Sequence, residues 1–188
     1  MRKISFVVGL VVLCASAAMA GEIIVNGDFE TGALDPWYNA QNFCGGPCQD
    51  WAVTSSDSHG GSFSAMDIGN IELRQDFAGV AGSSITDASF WVKNSVGVNA
   101  VDFHYSDSTL EEFVVFSDAN VWTLQDVTAD INPSKTLTGL SIWGCDTGCI
   151  SFVDDVSIQS SVPEPGTLAM LGTGALAAVG VFRRKLNL

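Results

Sequence analysis

Basic side chains are scarce in the body of this 188-residue chain. The sequence has 8 Lys and Arg against 21 Asp and Glu, and most of the basic residues stand at the two ends. Between Lys3 and Arg183 there are three basic residues against all 21 acids, which gives a net charge of −18. Such a chain repels phosphate backbones, so we expect no nucleic-acid partner. The acidity suits either a solvated secreted domain or one that binds cations such as Ca²⁺.

Catalytic motifs are also lacking. The sequence has no Gly-x-Ser-x-Gly elbow, no phosphate loop and no His-Glu-x-x-His motif. Its adjacent carboxylate pairs, Glu111-Glu112 and Asp154-Asp155, would point to opposite faces of a strand rather than share a site. We therefore predict no catalytic residues and no enzyme. A secreted glycoside hydrolase is kept as an alternative, since such an enzyme needs two carboxylates that converge only in the fold.

The first twenty residues have the composition of a signal peptide. Arg2 and Lys3 precede an apolar run that closes on Ala-Met-Ala at 18–20, the pattern that signal peptidase accepts. The run is short for a stop-transfer span. Residues 1–20 are therefore predicted to be a signal peptide, and the chain to be exported. Cys14 raises a lipoprotein alternative, although a leucine rather than a small residue precedes it.

Four cysteines follow the signal peptide, in two close pairs. An even number of cysteines in an exported chain predicts two disulfides. Three connectivities are open, and a Gly-containing turn inside each pair favours the local ones. A four-thiolate zinc site is the alternative. The residues concerned are Cys44, Cys48, Cys145 and Cys149.

The middle of the chain has no long amphipathic helical period. Short apolar or alternating runs are separated by Gly, Asn, Asp and Ser clusters, which is typical of an all-β sandwich. Val101, Phe103 and Tyr105 alternate with Asp102 and His104, so the two sets face opposite sides of a strand. Strands are predicted near Ile23–Val25, Trp51–Thr54, Phe63–Asp67, Ile71–Phe77, Ile85–Lys93, Asn99–Tyr105, Glu112–Phe116, Trp122–Val127, Leu137–Trp143 and Ile150–Ile158.

The C-terminal segment changes composition again. Its Val-Pro-Glu-Pro segment at 162–165 is predicted to be stiff, since each proline restricts itself and its predecessor. The uncharged run 167–182 follows, and three basic residues end it. A helix of that length spans roughly 24 Å of a hydrocarbon core of about 30 Å, and snorkelling basic side chains cover the difference. We predict a transmembrane helix at 167–182, with the β domain outside and the C-terminus in the cytoplasm.

These three parts resemble the PEP-CTERM sorting domain of Gram-negative bacteria. The resemblance implies that 162–188 is a sorting tail handled by an exosortase, a membrane cysteine transpeptidase. It further implies an inner-membrane intermediate and a final place at the cell surface or in an exopolysaccharide matrix. A plain C-terminal membrane anchor is the alternative. By resemblance, the sorting motif is Pro163, Glu164 and Pro165, and the basic stop is Arg183, Arg184 and Lys185.

Three segments of the domain at 21–161 are similar to galactose-binding-like jelly rolls, the fold of many carbohydrate-binding modules. They are Ile24–Gly32 with the following Asp-Pro-Trp, His59–Ala65 and Phe152–Ile158. The resemblance spans nearly the whole domain and implies a single jelly-roll β-sandwich. Binders and domains without known ligands share this fold, so the fold alone does not establish binding.

In many such modules a structural Ca²⁺ ties the first strand region to the last strand. Here the resemblance places Glu30, with Asp154 or Asp155, at the matching positions, and Asp28 is a further candidate. Backbone oxygens near 60–62 would complete a shell of six to eight oxygens. The alternative is that these carboxylates are solvated or accept hydrogen bonds from backbone amides.

Sugar binding would need aromatic faces flanked by polar side chains. We select Trp37, Tyr38 and Trp91 as candidates, against the alternative that each tryptophan belongs to the core. The expected function is an exported surface or matrix protein with a non-catalytic domain that is a candidate binder of exopolysaccharide. Its partners are signal peptidase, exosortase and, through the tail, the membrane. The alternative is an acidic, disulfide-braced matrix component that recognises no particular sugar.

Overall fold

A computed structural model of the chain describes residues 21–146 and 148–161. The predicted signal peptide at 1–20, the sorting tail at 162–188 and the helix at 167–182 lie outside the described residues. Within the described part, no helix has the length and apolar character needed to cross a membrane. The strands are β1 Gly21–Glu22, β2 Tyr38–Asn42, β3 Gln49–Thr54, β4 Ser64–Ile68, β5 Ile71–Ala81, β6 Ile85–Asn94, β7 Val98–Tyr105, β8 Leu110–Phe116, β9 Thr123–Asp126, β10 Thr136–Trp143 and β11 Ile150–Ser160.

The strands form two antiparallel sheets. One has the order β3-β4-β11-β6-β9, with β1 pairing the end of β11. The other has the order β2-β5-β10-β7-β8. Short 3₁₀ turns at Gly82–Ser84 and Thr128–Asp130 are the helical elements of the described residues. The predicted all-β jelly-roll sandwich is confirmed.

The core lies between the two sheets and takes alternate residues from each strand. In β7, Val101, Phe103 and Tyr105 are buried in it, as their alternation predicted. On the neighbouring strand β10, Leu140 and Ile142 are buried beside them. Each such side chain stabilises the fold by roughly 1.5–3 kcal/mol through removal of apolar surface from water.

The predicted strands differ from the structure in two places, one predicted strand that is irregular and one observed strand that was not predicted. Residues 23–25 form an irregular segment, because the Glu22 carboxylate accepts the amides of Ile23 and Ile24 and the Gln75 side chain accepts that of Val25. Strand β2 was not predicted, because its sequence Tyr-Asn-Ala-Gln-Asn has no apolar alternation. Its residues are all exposed, since it is an edge strand against β5.

The cysteines are paired locally. Cys44 is bonded to Cys48 in the loop between β2 and β3, with the Cα atoms 6.3 Å apart. Cys145 is bonded to Cys149 in the loop between β10 and β11, with the Cα atoms 5.6 Å apart. Of the three connectivities the structure has the two local bridges, and not the alternative in which four thiolates bind zinc.

Candidate functional site

A row of polar side chains crosses the outer face of the five-stranded sheet. Residues of these strands that alternate with the core positions face away from the other sheet. Strand register brings five of them side by side, one from each strand. This polar row runs Tyr38, Arg74, Ser141, Asp102 and Glu112.

One end of the polar row is organised around Asp76. The Tyr38 hydroxyl donates to Asp76 Oδ2 at 2.6 Å, and the Arg74 guanidinium donates to Asp76 Oδ1 at 2.9 and 2.7 Å. Burial and the hydrogen bond to this carboxylate raise the pKa of Tyr38 to about 12. Burial opposes ionisation of Asp76, but the bonds from Tyr38 and Arg74 prevail and lower its pKa. Tyr38, with 40% of its surface exposed, therefore keeps its proton and a fixed orientation.

The middle of this face holds two buried carboxylates and an imidazole. Glu72, Asp102 and His104, the buried trio, are 0%, 2% and 9% exposed, and one ligand atom from each lies within 4.8 Å of the others. The Ser141 hydroxyl donates to Glu72 Oε1 at 2.5 Å and lies 2.7 Å from His104 Nε2. The Trp143 indole donates to Asp102 Oδ2 at 2.6 Å.

Half of the carboxylate oxygens of the buried trio are unpaired. Among the described residues, Glu72 Oε2 and Asp102 Oδ1 have no hydrogen-bond partner. Burial raises the pKa of Asp102 to about 6 even though the Trp143 N–H stabilises its charged form. Burial also lowers the pKa of His104, which keeps this imidazole neutral at pH 7.

An open groove of about 580 Å³ adjoins Trp143. Phe43 forms one of its walls, stacked on Trp143 with ring centroids 5.4 Å apart and planes 24° apart. Phe43 is 64% exposed, so its ring offers a free aromatic face. The groove combines apolar and polar walls, the composition of sites that hold small organic ligands. This aromatic groove is lined by Phe43, Val96, Val114 and Trp143, with Asn70, Asn99 and Glu112.

The three predicted sugar-binding residues do not come together. Trp37 is 3% exposed, because it packs on Phe29 in the core and donates its indole N–H to the Asn26 carbonyl. It therefore has no free face for a sugar. Trp91 lies on β6 in the six-stranded sheet, where it stacks on a histidine. Tyr38 lies on the polar row.

The predicted calcium ligands gather around the loop 59–63. Glu30 Oε1 accepts two amides of this loop at 2.7 and 2.8 Å, and Asp154 Oδ2 accepts two others at 2.8 and 3.1 Å. Asp155 Oδ2 lies 2.7 Å from the imidazole of His59. Asp28 accepts the amide of Glu30 at 3.3 Å. These contacts match the amide-binding alternative, and a calcium ion at this position stays a prediction.

Several residues of this face were not selected from the sequence, namely Phe43, Glu72, Arg74, Asp102 and His104. The alternation in β7 did place Asp102 and His104 opposite the core. The alternation does not give the register, in which β7 pairs with β10 and β10 pairs with β5. Phe43 and Trp143 are 100 positions apart, so their contact leaves no local pattern.

Comparison with known proteins identifies the tail and the fold. The PEP-CTERM protein-sorting motif family matches residues 161–185, so the chain carries this sorting motif. The motif indicates an exported protein that passes through a membrane. No curated protein matches the chain.

Solved structures similar to the chain are mostly carbohydrate-binding modules. TmCBM61, solved with β-1,4-galactotriose, has a TM-score of 0.54 at 18% identity, covering 73% of this chain and 97% of its own. A family 16 carbohydrate-binding module has a TM-score of 0.52 at 19% identity, covering 72% and 98%. The enzymatically active domain of tailspike protein 4 of bacteriophage CBA120 reaches 0.51 at 10% identity, covering 73% and 21%. At such identities the likeness concerns the fold, a jelly-roll sandwich of the carbohydrate-binding-module type.

Proposed function

We propose that the protein is an exported, non-catalytic carbohydrate binder whose ligand lies in the aromatic groove and along the polar row. The observation that carries this proposal is the stacked pair of Phe43 and Trp143 beside a line of fixed polar side chains. An aromatic face can pack on a pyranose ring while carboxylates and amides fix its hydroxyls. Both elements lie on one face of one sheet.

The charge of the site points to a neutral sugar. Glu112 supplies an exposed acceptor on this face, while the nearby cation Arg74 is engaged by Asp76. The chain between its basic ends carries a net charge of −18. A uronic acid or sulfated glycan would be repelled by this surface, whereas hydroxyl groups find acceptors there.

The sorting motif also supports a proposal about how the protein is processed and where it is finally located. The exosortase would act at Pro163, Glu164 and Pro165 after signal peptidase has removed residues 1–20. The protein would pass through an inner-membrane intermediate to the surface or matrix of a Gram-negative cell. There the groove would hold the domain to exopolysaccharide.

A structural Ca²⁺ is part of the proposal. The loop 59–63 passes between two carboxylates: a side chain at Gly60 would lie 2.9 Å from Asp155 Oδ2, and one at Gly61 would overlap the Glu30 carboxylate. This close approach leaves carboxylate and backbone oxygens near one another, the donor type that Ca²⁺ prefers. Glu30 and Asp155, with Asp154 and backbone oxygens of the loop, would hold the ion and join the first segment of the domain to β11.

The test measures binding of the purified protein to a glycan array and to the host exopolysaccharide. The protein is kept in mild detergent because of its apolar tail. Phe43→Ala should weaken binding at least tenfold, because it removes the exposed ring. Phe116→Ala is the matched control, since Phe116 is 69% exposed on the same sheet and does not line the groove. If folded wild-type protein gives flat signals on both supports, a matrix component without a specific ligand is the better account.

A secreted glycoside hydrolase is the second candidate. It is favoured by the convergence of Glu72 and Asp102, since one carboxylate oxygen of each lies within 4.8 Å of the other. Retaining glycosidases hold their two carboxyl groups roughly 5–5.5 Å apart. Against it, Glu72 is completely buried and cannot reach a sugar without a rearrangement. Release of reducing ends from a bound glycan, lost in Glu72→Gln, would establish the hydrolase and overturn the non-catalytic proposal.

A further inference from the structure

We propose that Glu72, Asp102 and His104 form a binding site for a divalent transition-metal ion with the ligand preference of Zn²⁺. The site lies under the outer face of the five-stranded sheet and uses none of the predicted calcium ligands. It goes beyond sugar binding and is testable without any sugar.

The first support is geometric. Glu72 comes from β5, and Asp102 and His104 come from β7, with β10 between the two strands. One ligand atom from each residue lies within 4.8 Å of the other two. Ligand atoms around one Zn²⁺, each about 2.0–2.2 Å from the metal, lie roughly 3–4 Å apart. Small side-chain rotations would therefore bring all three onto one ion.

The second support is the pair of unsatisfied oxygens. Glu72 Oε2 and Asp102 Oδ1 have no partner among the described residues, although their side chains are 0% and 2% exposed. Buried carboxylates are normally paired with a cation or coordinated to a metal, because unpaired burial of charge is costly. The nearby guanidinium of Arg74 is bonded to Asp76 instead. These two oxygens are therefore free to bind a metal ion.

The donor set selects the kind of ion. An imidazole with two carboxylates is a ligand set of zinc and other first-row metals, whereas Ca²⁺ takes six to eight oxygens. His104 supplies the imidazole nitrogen, and Glu72 and Asp102 supply the carboxylate oxygens. Ser141 lies 2.7 Å from His104 Nε2 and donates to Glu72, so it can orient both ligands.

The experiment titrates the purified, detergent-solubilised protein with Zn²⁺ by calorimetry in the presence of excess Ca²⁺. One Zn²⁺ per chain should bind, and His104→Gln and Glu72→Gln should each weaken binding at least tenfold. His59→Gln is the matched control, because His59 is the other histidine of the chain and lies against Trp91 in the other sheet. It should bind as the wild type does.

A Co²⁺ titration gives a readout that needs no variant. Binding at the buried trio should produce visible absorption bands of a site with nitrogen and oxygen ligands, and Zn²⁺ should abolish them. The proposal is overturned if folded wild-type protein binds neither metal, or if His104→Gln binds Zn²⁺ as tightly as the wild type. It is equally overturned if Glu72→Gln raises the melting temperature and leaves the Zn²⁺ affinity unchanged.

Discussion

Asp67→Asn should stabilise the protein at neutral pH. Asp67 lies on β4 with 0% exposure, and neither carboxyl oxygen has a hydrogen-bond partner among the described residues. The backbone at Gly144 packs so closely that a side chain there would overlap the carboxyl group. Burial raises the pKa of Asp67 to about 9, and the nearby Ser151 offsets only part of the effect.

The sign follows from proton binding. The folded protein holds a proton on Asp67 up to about pH 9, whereas the unfolded chain releases it near pH 4. The stability contributed by this proton is complete below about pH 4 and is lost as the pH rises towards 9. Each pH unit inside this window lowers the free energy of unfolding by at most about 1.4 kcal/mol. From pH 4 to pH 7 the loss is therefore up to about 4 kcal/mol.

The asparagine variant has nearly the same shape and no charge to suppress. We expect its free energy of unfolding at pH 7 to exceed that of the wild type by about 1–4 kcal/mol, with the two converging near pH 4. Urea unfolding followed by tryptophan fluorescence at several pH values measures the difference. Asp126→Asn, at an exposed carboxylate, is the control and should leave the pH dependence unchanged in this range. Parallel wild-type and Asp67→Asn curves would refute the reasoning.

Three further predictions concern the loops and the binding face. Added Ca²⁺ should raise the melting temperature and a chelator should lower it, by mass action, and Glu30→Gln should remove both shifts. A melting temperature that neither Ca²⁺ nor a chelator changes would rule out the ion. Replacing Cys44 and Cys48 by serine should lower the free energy of unfolding in urea by about 2 kcal/mol and weaken glycan binding. Unchanged stability and unchanged affinity would contradict this prediction. Tyr38→Phe should weaken glycan binding several-fold, because Tyr38 lies exposed on the polar row, and loss of its bond to Asp76 should lower the free energy of unfolding by about 1–2 kcal/mol. Unaltered affinity would exclude Tyr38 from the site.

The strands were largely predictable because burial on one face leaves a period of two. Strand β7 shows both the strength and the limit of this pattern. Its alternation correctly separated Val101 and Phe103 from Asp102 and His104. It did not indicate that the polar pair is also buried: Asp102 and His104 are 2% and 9% exposed, and the Trp143 indole donates to Asp102. Burial of the second face depends on what other strands contribute, and that information is not local.

The candidate site was less predictable for the same reason. Trp37 was selected for its aromatic ring, yet its neighbours Phe29 and Asn26 bind it inside the domain. Phe43 follows an edge strand that has no apolar pattern, and its partner Trp143 ends β10. The strand order β2-β5-β10 brings Phe43 and Trp143 to the same side of the sheet, and this order cannot be read from the sequence.

Both disulfide loops border the aromatic groove. Phe43 directly precedes Cys44, and Trp143 stands two residues before Cys145, which itself lines the groove. In a reducing cytoplasm neither disulfide would form, and the position of the Phe43 ring against Trp143 would be less constrained. Oxidation would therefore act as a maturation step for the proposed glycan binding, because the aromatic groove would reach its final shape only after export.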